Sequence, residues 1–163
     1  MLIRARAEAD DDAIRRLNDA AFGGTYESKL VEDLRGAGLA VVEVVADEQT
    51  IIGHILFSML DVTVNGASVR ALALAPMSVQ PERQRGGIGS RLVRAGLEQA
   101  HAEGWQAVIV LGHREYYPRF GFSAALAQPL QAPFSGPSFM ALDLQPGVLQ
   151  GGGRVVYPAA FGV

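Results

Sequence analysis

The chain has 163 residues, of which 49% are hydrophobic and 19% charged, a globular composition long enough for one domain with a real core. Its 14 basic and 17 acidic residues give a net charge of −3, which argues against general nucleic-acid binding, and the absence of cysteine excludes disulfides and thiol chemistry. We expect one domain over 1–163 and no metal site. No signal-peptide core and no apolar run of about 18 residues is present, so a cytoplasmic protein is expected.

The first half of the chain predicts two helices followed by antiparallel strands. The expected elements are a strand at 2–6, helices at 10–22 and 25–38, and strands at 39–47, 51–64 and 68–79. The run Asp10 to Asp12 is expected to supply the N-cap of the first helix and Thr25 that of the second, because short oxygen-bearing side chains can accept hydrogen bonds from the first turn of a helix. The pair Asn65-Gly66 is a strong turn signal, so the last two strands should form a hairpin.

The second half predicts one helix and a set of shorter elements. A helix is expected at 88–100, strands at 105–112, 138–144 and 154–157, and one or two helical turns at 114–122. The strand at 105–112 is almost entirely apolar, which is typical of burial on both faces of a sheet. Pro118 and Gly121 should break the helical turns, and the three glycines at 151–153 are expected to form a flexible loop.

A basic, glycine-rich turn, "ERQRGGIGS", joins a predicted strand to a predicted helix. A helix N-terminus exposes unpaired N–H groups and carries roughly half a positive charge, so an anion fits there when no Cβ blocks its approach. Three glycines remove that obstacle, and three arginines add positive charge. They are Gly86, Gly87, Gly89, Arg83, Arg85 and Arg91. The turn therefore suits a phosphate or pyrophosphate, and the alternative is a tight connection with surface arginines.

Two better-known phosphate motifs do not fit this turn. The nucleotide P-loop places a lysine and then a hydroxyl residue after its last glycine, whereas Gly89 is followed by Ser90 and Arg91. The dinucleotide fingerprint G-x-G-x-x-G would need a glycine where Leu92 stands, and it would need parallel strands upstream. The turn therefore belongs to neither of these two classes.

Two segments resemble signatures of the GNAT superfamily of N-acetyltransferases. The segment "QRGGIG" at 84–89 is similar to the motif Q/R-x-x-G-x-G/A, and "YYPRFGF" at 116–122 is similar to F/Y-Y-x-x-x-G-F. The order of the expected elements also resembles the family, so the similarity covers most of the chain. The segments 111–122 and 137–149 are similar to a little-characterised bacterial branch. The resemblance implies an α/β fold with a mixed, mostly antiparallel central sheet flanked by helices.

The resemblance implies acetyl-CoA as the donor and CoA as the product. Backbone N–H groups at the glycine turn would hold the pyrophosphate, and the splayed end of the preceding strand would pair with the pantetheine arm. The implied cofactor-binding residues are Met77, Ser78, Val79, Gln84, Arg85, Gly86, Gly87, Ile88, Gly89, Ser90 and Arg119. One departure is Val110, where many members of the family have an asparagine that contacts the cofactor; His113 or Arg119 are candidates to replace it.

Tyr117 stands where the family usually has its general acid, and a phenol with a pKa of about 10 is protonated at neutral pH. The alternative for Tyr117 is aromatic packing with a satisfied hydroxyl. The base is open between Glu43, a carboxylate in an apolar strand, and His54, whose intrinsic pKa suits proton transfer. Many acetyltransferases of this superfamily need only ordered water, so a dedicated base is not required.

The implied activity is transfer of an acetyl group to a primary amine of a small molecule or peptide, by direct attack in a ternary complex. The alternative is a regulatory or interaction module that binds CoA on the same fold with little turnover. Tyr26, Glu27 and Phe134 are candidates for lining an acceptor pocket, and Glu27 would suit a cationic amine. No nucleic-acid or membrane partner is expected, and a homodimer would match the family, in which dimers are common.

Overall fold

The computed structural model describes residues 1–163 in full and divides into two compact units that alternate along the chain. The first unit comprises 1–58 and 75–99, and the second comprises 59–74 and 100–163. None of the helices is both long and apolar enough to cross a membrane.

The regular structure consists of eight strands and four helices. The strands are β1 (Leu2–Ala5), β2 (Ala40–Asp47), β3 (Ile51–Val64), β4 (Ala67–Val79), β5 (Ala107–Leu111), β6 (Leu130–Gln131), β7 (Phe139–Asp143) and β8 (Gly153–Val156). The helices are α1 (Asp11–Phe22), α2 (Tyr26–Gly36), α3 (Ile88–Ala102) and α4 (Ala124–Ala127).

Hydrogen bonding links the strands in the order β1-β2-β3-β4-β5-β7, and β8 pairs with β3 and with β6. Pairs β4–β5 and β6–β8 are parallel. Pairs β1–β2, β2–β3, β3–β8 and β5–β7 are antiparallel. The predicted α/β fold with a mixed, mostly antiparallel sheet is confirmed.

In the first unit, β3 presents different faces to α3 and to α1. A Cβ at Gly53 would lie only 2.9 Å from the Leu92 side chain of α3. Because successive side chains of a strand point to opposite faces, His54 points away from α3. Its ring lies 3.3 Å from the Asn18 side chain of α1. The face of β3 that carries Gly53 therefore packs against α3, and the opposite face, which carries His54, meets α1.

Asp10 and Thr25 occupy the predicted N-cap positions of the first two helices, but their side chains do not cap them. Neither Asp10 nor Thr25 makes a side-chain capping bond to its helix. A 3₁₀ turn at Glu8–Asp10 precedes α1, and the Asp10 carboxylate accepts hydrogen bonds from the Arg4 guanidinium at 2.8 and 3.0 Å. It also accepts a bond from the Ala7 N–H at 2.8 Å. Asp10 therefore ties the start of α1 to β1 instead of capping the helix.

In the second unit, β5 is buried apart from its last residue, as its apolar sequence predicts. Trp105 is the only tryptophan of the chain and stands two residues before β5. The Arg70 guanidinium of β4 lies 4.4 Å from the centroid of its ring and donates to the Gly104 carbonyl at 3.2 Å. This contact fastens the segment before β5 to β4.

One prediction for the second unit needs correction, one is confirmed, and two short elements were missed. Gly153 belongs to β8 and not to a loop, and a Cβ there would overlap the carbonyl oxygen of Thr63 on β3. The one or two helical turns expected at 114–122 are one 3₁₀ turn at Tyr117–Phe120, which ends at Gly121 as predicted. The short elements α4 and β6 were not predicted, because four and two residues are too few to show a hydrophobic period.

The contact between α3 and β3 gives a stability test. A Cβ at Gly96 would overlap the ring of the fully buried Phe57, so we expect Gly96→Ala to destabilise the protein by about 1–3 kcal/mol. Gly36→Ala is the matched control, because a Cβ on this last residue of α2 meets nothing within 4 Å and alanine is the better helix former. Urea unfolding measures both variants. An unchanged midpoint for Gly96→Ala would contradict the close packing.

Candidate active site

The glycine turn is anchored to the end of β4. The Gln80 N–H donates to the Ile52 carbonyl at 2.8 Å, and the Gln84 side chain donates from Nε2 to the Val79 carbonyl at 3.1 Å. A 3₁₀ turn at Pro81–Arg83 lies between these two bonds. Together they fix the path of the chain into the N-terminus of α3.

The backbone of the turn leaves N–H groups available to a ligand. Helix α3 begins at Ile88, and the Arg91 N–H donates to the Gly87 carbonyl at 3.1 Å, so the N–H groups of Gly87, Ile88 and Gly89 precede the hydrogen-bonded ladder. Arg85 and Gly87 have positive φ angles of 68° and 87°. A Cβ at Gly87 would meet nothing within 4 Å, so the space beside Gly87 is open. Such an arrangement can hold an anion.

The charge at the turn is smaller than the sequence predicts. The two Nη atoms of Arg83 lie 2.8 and 3.1 Å from the carboxylate oxygens of Glu48. Glu48 therefore compensates the positive charge that Arg83 was expected to add to the turn. Arg85 and Arg91 are exposed and carry the positive charge next to the glycines.

The end of β4 carries the residues predicted to pair with the pantetheine arm. Met77 is half-buried, while Ser78 and Val79 are buried. The Ser78 hydroxyl oxygen is fully buried and has no hydrogen-bond partner within the protein. Because buried polar groups are normally hydrogen-bonded, the Ser78 hydroxyl is suited to a polar ligand at the end of β4.

Glu43 and His54, predicted as alternative bases, are hydrogen-bonded to each other in the first unit. Glu43 Oε2 lies 2.7 Å from His54 Nε2, and His54 Nδ1 lies 3.3 Å from Asn18 Nδ2. Arg35 of α2 donates to both carboxylate oxygens of Glu43 and also lies 3.3 Å from Asp11. His54 is fully buried, and every polar atom of the Glu43–His54 pair has a partner within the unit.

The surroundings of this pair set its charge. Burial lowers the pKa of His54, although the hydrogen bond with Glu43 acts in the other direction. Burial alone would raise the pKa of Glu43, but hydrogen bonds from His54 and Arg35 hold it at about 2. We therefore assign a neutral imidazole that donates from Nε2 to an ionised carboxylate, with Nδ1 accepting from the Asn18 amide.

Tyr117 begins the 3₁₀ turn of the second unit and is buried. Its ring contacts Tyr116 and Phe122 edge-on, with centroids 5.1 and 5.7 Å away. Gly112 lies against the same ring, so closely that a Cβ there would be 2.5 Å from it. Burial raises the pKa of the Tyr117 phenol well above its usual range, so the hydroxyl is protonated at every physiological pH.

The other candidates of this segment lie at the surface or offer no polar group. Arg119 is exposed, and its guanidinium lies 5.3 Å from the centroid of the Tyr116 ring. His113 is exposed, and its carbonyl accepts from the Tyr117 N–H at 3.2 Å. Val110 is buried inside β5. No group of three or more His, Asp or Glu side chains is placed to hold a metal ion.

Sequence reasoning missed Asn18, Arg35 and Gly112. Asn18 follows Ile14 by four residues, so it was visible as a polar residue on the apolar face of α1, which signals a buried hydrogen-bonding partner. Arg35 and Gly112 carry no sequence signal of this kind. Their roles depend on which strand residues the fold brings against them.

Sequence comparison places the chain among acetyltransferases. A family model described as an acetyltransferase (GNAT) domain matches residues 2–125. The uncharacterised N-acetyltransferase YhbS of Escherichia coli (strain K12) is 35% identical over 138 residues, 83% of this chain and 81% of that protein. The uncharacterised N-acetyltransferase YjhQ of the same strain is 34% identical over 166 residues, 95% of this chain and 92% of that protein.

Two solved structures resemble nearly the whole chain. The crystal structure of Escherichia coli YhbS in complex with CoA has a TM-score of 0.89 at 34% identity and covers 99% of this chain and 92% of that one. A GNAT family acetyltransferase from Brucella melitensis in complex with acetyl-CoA has a TM-score of 0.82 at 35% identity. The match covers 98% of this chain and 97% of that one. Fold and sequence together define the class of protein as an acetyltransferase. The chain belongs to the GNAT family, which confirms the resemblance inferred from the two motifs.

The buried pair predicts how stability depends on pH. The folded state keeps His54 neutral, whereas the unfolded chain binds a proton below its pKa of about 6.5, so stability should fall as the pH drops below that value. Glu43 adds a second loss as the pH falls from 4.5 towards about 2. Urea unfolding of the parent and of His54→Gln between about pH 8 and about pH 5 checks the first step.

We expect His54→Gln to flatten the loss below about pH 6.5, because glutamine does not titrate. His101→Gln is the control for the histidine-to-glutamine replacement itself, since His101 is exposed near the end of α3. If the parent and His54→Gln have the same slope, His54 is not held neutral by burial.

Proposed function

We propose that this protein transfers the acetyl group of acetyl-CoA to a primary amine of a small molecule or peptide. The observation that carries the proposal is the open N-terminus of α3, where the glycine turn presents backbone N–H groups without an obstructing Cβ. The relatives from Escherichia coli and Brucella melitensis, solved with CoA and acetyl-CoA, support the same ligand for this chain.

The residues at the turn fit a pyrophosphate. The N–H groups from Gly86 to Gly89 are donors that need no particular side chain, and the dipole of α3 favours an anion at its start. Arg85 and Arg91 add positive charge from exposed positions. The Ser78 hydroxyl, buried without a partner at the end of β4, fits a polar group of the pantetheine arm.

When bound, acetyl-CoA supplies an acetyl thioester, so the amine must lose a proton and the departing sulfur must gain one. We assign the second task to Tyr117, because its phenol keeps its proton throughout the physiological range. The same burial makes Tyr117 a weak acid. Its main contribution is therefore a hydrogen bond that strengthens as negative charge develops on the sulfur, with the proton following.

Proton removal from the amine is assigned to solvent water. His54 is fully buried, and both carboxylate oxygens of Glu43 already accept hydrogen bonds from Arg35 or His54, so neither group is placed to take a proton from the substrate amine. His54 would have to break its bond to Asn18 before Nδ1 could accept a proton. The pair is better suited to holding α1, α2, β2 and β3 together than to catalysis.

The phosphate site can be tested at Gly87. We expect Gly87→Val to weaken CoA binding by about tenfold or more, because the added methyl groups would occupy the space through which an anion approaches. Gly38→Val is the matched control: Gly38 has a similar φ of 74° and equally open surroundings but lies outside the turn. Calorimetry with CoA measures both. Unchanged affinity in a folded Gly87→Val would place the phosphates elsewhere.

The role of Tyr117 can be tested by removing one oxygen. We expect Tyr117→Phe to lower kcat by about 10²–10⁴-fold, the usual value of general acid catalysis, while the affinity for acetyl-CoA changes by less than about tenfold. Thiol release with an accepted amine measures kcat, and calorimetry measures affinity. Tyr116→Phe is the control and should behave like the parent. Full kcat in Tyr117→Phe would remove Tyr117 from the mechanism.

A further inference from the structure

The second unit contains a pocket that neither the glycine turn nor Tyr117 lines. Its volume is about 260 Å³. Its lining includes Ala124, Ala125 and Ala127 of α4, here called the helical wall, and the rings of Phe134 and Phe139, here called the aromatic wall. The lining therefore combines the small side chains of one helical turn with aromatic ones.

The helical wall leaves space because its side chains are short. Ser123 caps α4, since its hydroxyl oxygen accepts a hydrogen bond from the Leu126 N–H at 3.2 Å. Ser123 also pairs with Ala141 of β7, which holds the turn against the sheet. A short but anchored helical turn with three alanines gives a firm wall that no long side chain fills.

The aromatic wall is held by ring contacts. Phe134 meets Tyr157 edge-on at 5.2 Å between centroids, and Tyr157 meets Phe161 at 5.0 Å. Phe134 also lies 6.4 Å from Phe139. Rings that support one another in this way have little freedom to collapse into the space beside them. The cavity is therefore formed before a ligand arrives.

The lining selects an uncharged, apolar group. No ionisable side chain lines the pocket, and the polar side chains present, Gln128 and Ser135, are exposed. Burial raises the pKa of Tyr157, so the ring behind Phe134 also stays neutral. An apolar cavity of about 150 Å³ can hold benzene. The larger volume here has room for one aromatic ring with a short tether.

We propose that this pocket binds the aromatic ring of the acceptor, so that the acceptor is a primary amine joined to an aryl group by a short alkyl chain. The proposal rests on the acetyl transfer proposed above. An ammonium group would not be buried here without a carboxylate partner, so the amine lies outside the pocket. Tyr117 precedes Ala124 of the pocket lining by seven residues, and its ring contacts Phe122, two residues before Ala124.

The test uses the full chain and two leucine variants. Ala125→Leu fills the pocket from an exposed position on α4, and Ala20→Leu makes the same change at an exposed position on α1. The first probe is phenethyl alcohol, which has the ring but no amine, followed by ligand-observed NMR. It should bind the parent and Ala20→Leu, and bind Ala125→Leu about tenfold or more weakly, as expected when a ring loses its apolar site.

Kinetics supply the second readout. In thiol-release assays with acetyl-CoA, phenethylamine should have a Michaelis constant about tenfold or more below that of ethylamine, because only the first amine carries a ring to bury. Ala125→Leu should remove this difference, and Ala20→Leu should keep it.

Probe binding and the Michaelis constants distinguish a failure of the ring site from a failure of its acceptor role or of the acetyl transfer. If phenethyl alcohol does not bind, or binds Ala125→Leu as well as the parent, the pocket is not a ring site, even when ethylamine is acetylated. Equal Michaelis constants for the two amines would overturn the assignment to the acceptor. An effect of Ala125→Leu only on longer acyl-CoA donors would assign the pocket to the donor and overturn the proposal. Ring binding without thiol release from any amine would refute the acetyl transfer and, with it, the acceptor role.

Discussion

A buried carboxylate is the constraint on which the first unit depends. Glu43 lies in the middle of β2 with a side chain only 8% exposed, and an ionised carboxylate in that position needs partners. It receives them from Arg35 of α2 and His54 of β3, while Asn18 of α1 completes the bonding of the histidine. Removing one partner of such a cluster is strongly destabilising, because it leaves a buried charge or dipole uncompensated.

The glycine turn differs from this cluster, because its ligand-binding groups are backbone N–H groups and not side chains. Its ligand-binding capacity comes from where α3 begins and from the absence of a Cβ at Gly87. A position that must lack a Cβ can be recognised in a sequence, since only glycine satisfies this requirement. The glycines of "QRGGIG" therefore predicted the turn and, with it, the family. Two other local signals predicted the hairpin and the strands: the Asn65-Gly66 pair and the β-branched runs.

Features that depend on pairing across the fold were harder to predict. Glu43 and His54 are 11 residues apart and read as two competing bases, but the register of β2 against β3 brings them into contact. Arg83 read as part of the anion site, but Glu48, 35 residues earlier, neutralises it. The helical wall formed by α4 is a single helical turn, too short for a hydrophobic pattern to repeat. In each case the deciding information is a tertiary contact and not a local propensity.

The contact between Arg70 and Trp105 gives the protein an intrinsic fluorescent probe of its second unit. With one tryptophan in the whole sequence, tryptophan emission comes from a single indole that belongs to the second unit and lies against a guanidinium. Its emission therefore follows the loosening of β4 from the segment before β5, whereas the far-ultraviolet dichroism of α1 and α2 comes from the first unit. Two optical signals from one unlabelled sample thus distinguish cooperative melting from stepwise melting.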